Sequence, residues 1–184
     1  MGRSSPHPVA IYAVEEELPL SIDTVLYPYP VDEAPHLEVQ RLEVDENGER
    51  VAPWEASGLC LLVDGRRDYY VVAHERRALR RFGPVVCDGE IALLRCAGDD
   101  SPWRLTLVNG SYVELDGRTI VDAEHTFEFL ELVWESDALK LHCHPQIGAT
   151  VWAGDASHLV VDAGEKHPIS SIDGQIDIFE NWLD

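Results

Sequence analysis

WRLTLVNGSYVELDGRTIV, residues 103–121, is the stretch from which the fold class is read. Leu105 and Leu107 alternate with polar neighbours, and so do Val113 and Leu115, which is the period of a strand with one buried face. Between the two runs stands Asn109-Gly110, a pair that adopts positive φ at little cost and so predicts a tight reversal. Asp116-Gly117 predicts a second reversal after one more short strand. Short strands and sharp turns are the signature of an all-β body.

Outward from this centre the same grammar holds. Apolar or alternating runs at 9–14 (VAIYAV), 22–27 (IDTVLY) and 37–44 (LEVQRLEV) predict strands, the last with a bulge at Arg41. Asn47-Gly48 marks a reversal, and Asp64-Gly65 joins LCLLV at 59–63 to DYYVVA at 68–73 as a hairpin. Gly83-Pro84 breaks the chain before Val85 and Cys87, and Asp88-Gly89 precedes the strand IALLRC at 91–96, with a loop at 98–102. FEFLELVW at 127–134 alternates with neither face cleanly polar, so both faces are expected to be partly covered. Further strands are expected at 139–143, 150–152 and 159–161, and 176–183 fits either a strand or a short helix. About a dozen short strands at this spacing predict a single antiparallel β-sandwich over residues 1–184, with 1–7 as a flexible lead-in.

Composition narrows the function classes. The 184 residues carry 34 acidic against 14 basic side chains, a formal net charge of −20. Such a chain repels phosphate backbones, which argues against nucleic acid as a partner. No apolar run approaches the roughly 20 residues of a membrane helix, so no membrane partner is expected. The four cysteines, Cys60, Cys87, Cys96 and Cys143, lack paired zinc spacing and read as reduced structural thiols, although their number leaves room for a disulfide. The cations are uneven: Arg66, Arg67, Arg76, Arg77, Arg80 and Arg81 fall in one short window.

The order of several segments resembles a known family. TVLYPYP at 24–30, DGRRDYYVVA at 64–73, RRFGPVVCDGEIALLR at 80–95 and LTLVNGSYVELDGR at 105–118 are similar to the C-terminal part of heparinase II/III-like polysaccharide lyases, a group that includes alginate and other uronate lyases. The opening GRSSPHPVAIYA is similar to the segment by which those proteins enter this region, so the likeness spans most of residues 2–162. The resemblance implies the C-terminal β-sandwich of a longer enzyme that cleaves acidic polysaccharide by β-elimination. That reaction neutralises a uronate carboxylate, removes the C5 proton with a base and protonates the leaving oxygen with an acid. In the family these roles fall to residues of a helical toroid and of an earlier sheet, and no stretch here matches them. No catalytic residue is carried over, and the chain by itself is not expected to be an enzyme. A periplasmic or secreted location is implied for part of a full-length lyase, and a cytoplasmic one if the chain stands alone.

Several residues fit binding chemistry. Arg76, Arg77, Arg80 and Arg81 are suited to carboxylate or sulfate forks, or equally to local carboxylates and a neighbouring domain. Trp54 and Trp103, beside prolines in loops, are candidates for stacking on sugars, whereas Trp134 and Trp152 lie in strands and read as core. Tyr69, Tyr70 and His74 lie near the arginines, but alternation sends the two tyrosines to opposite faces. His142 and His144 share one face of a strand and offer two ligands to zinc or copper; no cofactor is otherwise expected. Two readings of function follow. One is a non-catalytic sandwich of a polysaccharide lyase, with anionic polysaccharide or the upstream lyase domains as partners. The other is a free-standing acidic module that binds a basic protein. Exposed apolar side chains along 9–27 would separate them, since a domain that docks on a neighbour should bare such a strip.

Overall fold

The computed structural model describes residues 15, 17–30, 34–74, 76–162 and 164–178. Among these there is no helix, and fifteen strands carry the fold. The chain begins its sheet with β1 (Leu37–Leu42), β2 (Val44–Glu46), β3 (Glu49–Arg50), β4 (Ala56–Val63) and β5 (Arg66–Ala73). Next come β6 (Arg80–Phe82), β7 (Val85–Cys87) and β8 (Ile91–Cys96). Two long strands follow, β9 (Pro102–Leu115) and β10 (Arg118–Trp134). The remainder are β11 (Ala138–His144), β12 (Ala149–Trp152), β13 (His158–Val161), β14 (Lys166–Pro168) and β15 (Gln175–Ile178).

All fifteen strands belong to one hydrogen-bonded sheet, which doubles into two layers because β9 and β10 are each shared. Residues 102–108 of β9 pair with β8, and 113–115 pair with β7. Likewise residues 129–134 of β10 pair with β11, and 121–123 pair with β12. One layer therefore runs β1-β4-β5-β8-β9-β10-β11-β13-β14, and the other β3-β2-β6-β7-β9-β10-β12-β15. Strands that switch layers through irregularities are the usual way to make such corners. Every ladder is antiparallel except β11 with β13, which run parallel.

Between the layers lies one apolar cluster. Leu94, Leu105, Leu107, Leu130 and Leu132 from the first layer meet Phe82, Val85, Val113, Ile120 and Val121 from the second, all within 1 % of full burial. Each such side chain contributes about 1.5–3 kcal/mol on leaving water. At the far end the layers are tied by Trp134, whose Nε1 donates to the Trp152 carbonyl at 2.9 Å while the two rings pack 5.9 Å apart. That places both tryptophans against the core, as their strand positions predict.

The centre of the fold corrects the sequence reading. Asn109-Gly110 is not a turn; β9 runs straight through it, and Gly110 stands opposite Phe127 of β10. Asn109 alone of the pair has positive φ, 49°, and the β9–β10 register shifts between Asp122 and Phe127. The pair is thus part of the irregularity at which the strands cross from one layer to the other. Gly110 is needed for space: a Cβ there would stand 2.9 Å from Gly89 Cα and 2.8 Å from Leu107 Cδ1. The reversal falls at Asp116-Gly117, where both residues have positive φ, 49° and 79°.

Other differences are local. Residues 22–27 form no strand, because no ladder partner lies beside them; they run extended next to the body with Ser21, Asp23, Val25 and Tyr27 half-buried. The segment 37–44 is two strands broken at Glu43 rather than one strand bulged at Arg41, since β1 pairs with β4 and β2 turns to β6 in the other layer. Pro102 already belongs to β9, and β14 was not foreseen because its residues are polar and exposed. The C-terminal alternative resolves to a strand over β15. The strand expected at 9–14 and Trp182 lie outside the described residues.

Candidate functional site

β6, β7 and β9 lie side by side in the second layer, with Arg81 opposite Val86 and Val86 opposite Glu114. Alternation along β9 puts Tyr112 on the same face as Glu114, and the Tyr112 hydroxyl donates to Glu114 Oε2 at 2.9 Å. The segment before β6 lends Arg77 and Leu79 to this face. Together they form an open groove of about 610 Å³ with Val86 and Tyr112 among its lining residues.

Arg77 is fixed from several sides. It donates to Asp88, with Nε 3.1 Å from Oδ2, and to the hydroxyls of Ser111 and Thr126. Asp88 in turn accepts from the Ser111 and Tyr112 amides at 2.7 and 2.9 Å and from the Ser111 hydroxyl at 2.7 Å. Burial pushes the Asp88 carboxyl up, but the Arg77 guanidinium and the three donors from Ser111 and Tyr112 outweigh it and hold the group below the usual carboxylate range. Arg81 differs: it is exposed, and its side chain has no ion pair or hydrogen bond among the described residues.

The arginine window is divided between the core edge and the surface. Arg80 is only 4 % exposed; its Nε lies 3.2 Å from Glu46 Oε2, placed for an ion pair but not aligned as a hydrogen bond. Arg76 pairs with the same Glu46, and its hydrogen bond is the leading cause that lowers the Glu46 pKa. Arg67 pairs with Asp100. Of the four arginines singled out from sequence, then, Arg77 and Arg81 face the groove, while Arg76 and Arg80 brace β2 against β6. Asp88, Tyr112, Glu114 and Leu79 complete the groove and were not recognised in the sequence. The parity of Tyr112 and Glu114 along β9 was the available signal.

The remaining candidates lie elsewhere. Trp54 is exposed in the turn before β4, and Trp103 has the Arg95 guanidinium stacked on its ring at 4.5 Å. That stacking, with Arg95 also bonded to Asp68 at 3.0 Å, occupies a face that a sugar would need. His142 and His144 do share the exposed face of β11, as expected from their spacing. His142 pairs with Asp162, and His144 lies 3.4 Å from Glu128. Among the described residues no three His, Cys, Asp or Glu side chains converge as a metal ligand set. Tyr69 is buried in the core and Tyr70 half-buried on the opposite face; burial pushes the Tyr69 phenol up to about 12. The four cysteines are free, and burial pushes Cys87 and Cys96 to about 12 and Cys143 to about 11, far from a reactive thiolate.

Comparison with protein-family models and with curated proteins returns no match for this chain.

Proposed function

We propose that this chain is a non-catalytic β-sandwich module of a lyase acting on uronate-containing polysaccharide, where it supports the catalytic domains. One observation carries this reading over that of a self-contained module. Leu18, Leu20, Ile22, Leu26 and Tyr29 are exposed, Leu18 by 85 % and Leu26 by 89 %. The segment is anchored to the body by its alternate residues: Asp23 pairs with Arg41, and the Ser21 hydroxyl meets that of Ser57 at 3.3 Å. Its outward residues form an apolar strip of the kind a neighbouring domain covers. The segment order given above points to a lyase as the source of that neighbour.

The charge of −20 favours the alternative, an acidic module for a basic protein partner. The two separate on genomic DNA. An in-frame extension upstream of Met1, or an adjacent gene, encoding a helical toroid with a β-elimination residue set supports the lyase reading. A promoter and ribosome site directly before Met1, with no lyase gene nearby, overturns it.

A further inference from the structure

We infer that the groove between the 76–79 segment and β6, β7 and β9 binds a uronate residue of a polysaccharide chain, with Arg81 as counterion to the carboxylate. The substrate class rests on the proposed function; the site itself does not come from it.

Charge accounting within the groove supports the assignment. Arg77 is paired with Asp88, and Glu114 keeps its charge while accepting from the Tyr112 hydroxyl; the Arg81 side chain is the guanidinium of the groove with no ion pair among the described residues. An exposed fork of five donors is best met by a ligand carboxylate, which it binds with two parallel hydrogen bonds. A phosphate monoester fits less well, because Asp88 and Glu114 line the same groove and oppose its second negative charge. Glu114, which accepts from Tyr112 alone, suits a hydroxyl donor of the ligand. Leu79, Val86 and the Tyr112 ring supply apolar surface for the C–H face of a sugar ring. One carboxylate, several hydroxyls and an apolar face on a single ring describe a uronic acid. The groove is open, which lets a chain continue past the bound residue. Arg77 acts as a positioning residue, because its bonds to Asp88, Ser111 and Thr126 hold the groove wall to β9 and β10.

The test is titration calorimetry on the full chain with trimannuronate, free mannuronate and neutral cellotriose. The expected result is binding of the trimannuronate, weaker binding of the monomer and none of cellotriose. Arg81→Ala should weaken the trimer about tenfold. Arg66→Ala removes the same charge elsewhere on the surface and should leave binding unchanged. Circular dichroism of both variants checks that the fold is kept. Absence of trimer binding at millimolar concentration, equal binding of cellotriose, equal binding of the monomer, or equal loss in both variants would each overturn the inference. Failure here leaves the supporting role open to its genomic test. Success with no lyase gene nearby leaves a uronate-binding module without that role.

Discussion

Asn109-Gly110 and Asp116-Gly117 are nearly the same dipeptide in the same hairpin, and they do opposite things. At 116–117 both residues have positive φ, the chain reverses, and a Cβ added to Gly117 meets nothing within 4 Å. At 109–110 only Asn109 has positive φ, the strand continues, and a Cβ at Gly110 meets Gly89 and Leu107 below 3 Å. The first glycine is chosen for its backbone and the second for its lack of a side chain. The local chemistry of the pair permits either outcome. What decides between them is the packed surroundings: Glu90 accepts from Asn109 Nδ2 at 2.7 Å, and Asp88 holds the Ser111 and Tyr112 amides just beyond the crossing.

The contrast is sharpened most by Gly110→Ala. Overpacking at a site closed by backbone and a buried leucine is expected to cost about 3 kcal/mol, the upper part of the range for such changes, in urea unfolding at neutral pH. Asp88→Asn attacks the same crossing from outside and is expected to cost about 2 kcal/mol, because the Arg77 pair and the charge on three hydrogen bonds are lost. Its pH dependence has a definite sign. Folding lowers the Asp88 pKa, so its contribution is full above the unfolded value of about 3.9 and is lost as pH falls through the lower folded value. The gap between wild type and Asp88→Asn should therefore shrink between pH 5 and pH 2; a constant gap would show that the charge is immaterial. Gly117→Ala is expected to have the smallest effect, about 1 kcal/mol, since it strains one left-handed residue in open solvent. If Gly117→Ala proves costlier than Gly110→Ala, the two glycines have been assigned the wrong roles.

The same contrast explains what the sequence disclosed. Apolar or alternating runs, with the Asp64-Gly65 turn, located most of β4, β5, β8, β11 and β12, because burial of one or both strand faces is written directly into the residues. The Asx-Gly turns at Asn47, Asp64 and Asp116 were legible for the same local reason. Long-range pairing was not. Nothing local distinguishes Asn109-Gly110 as a crossing, or residues 22–27 as an unpaired segment, because both depend on which distant strand lies alongside. The site followed this division. The arginine window was visible as composition, but only the register of β6, β7 and β9 separates Arg81, exposed in the groove, from Arg80, buried on Glu46. Tyr112 joins the groove through the same register.

The sharing of β9 and β10 between layers also has a mechanical consequence. In a sandwich of two separate sheets, the layers touch only through side chains and can slide across one another. Here two backbone strands pass continuously from one layer into the other. Sliding would drag both strands out of register, and a slip of one residue turns every side chain to the wrong face. The layers therefore resist shear as one piece, and a load applied to the first layer reaches the second through covalent chain.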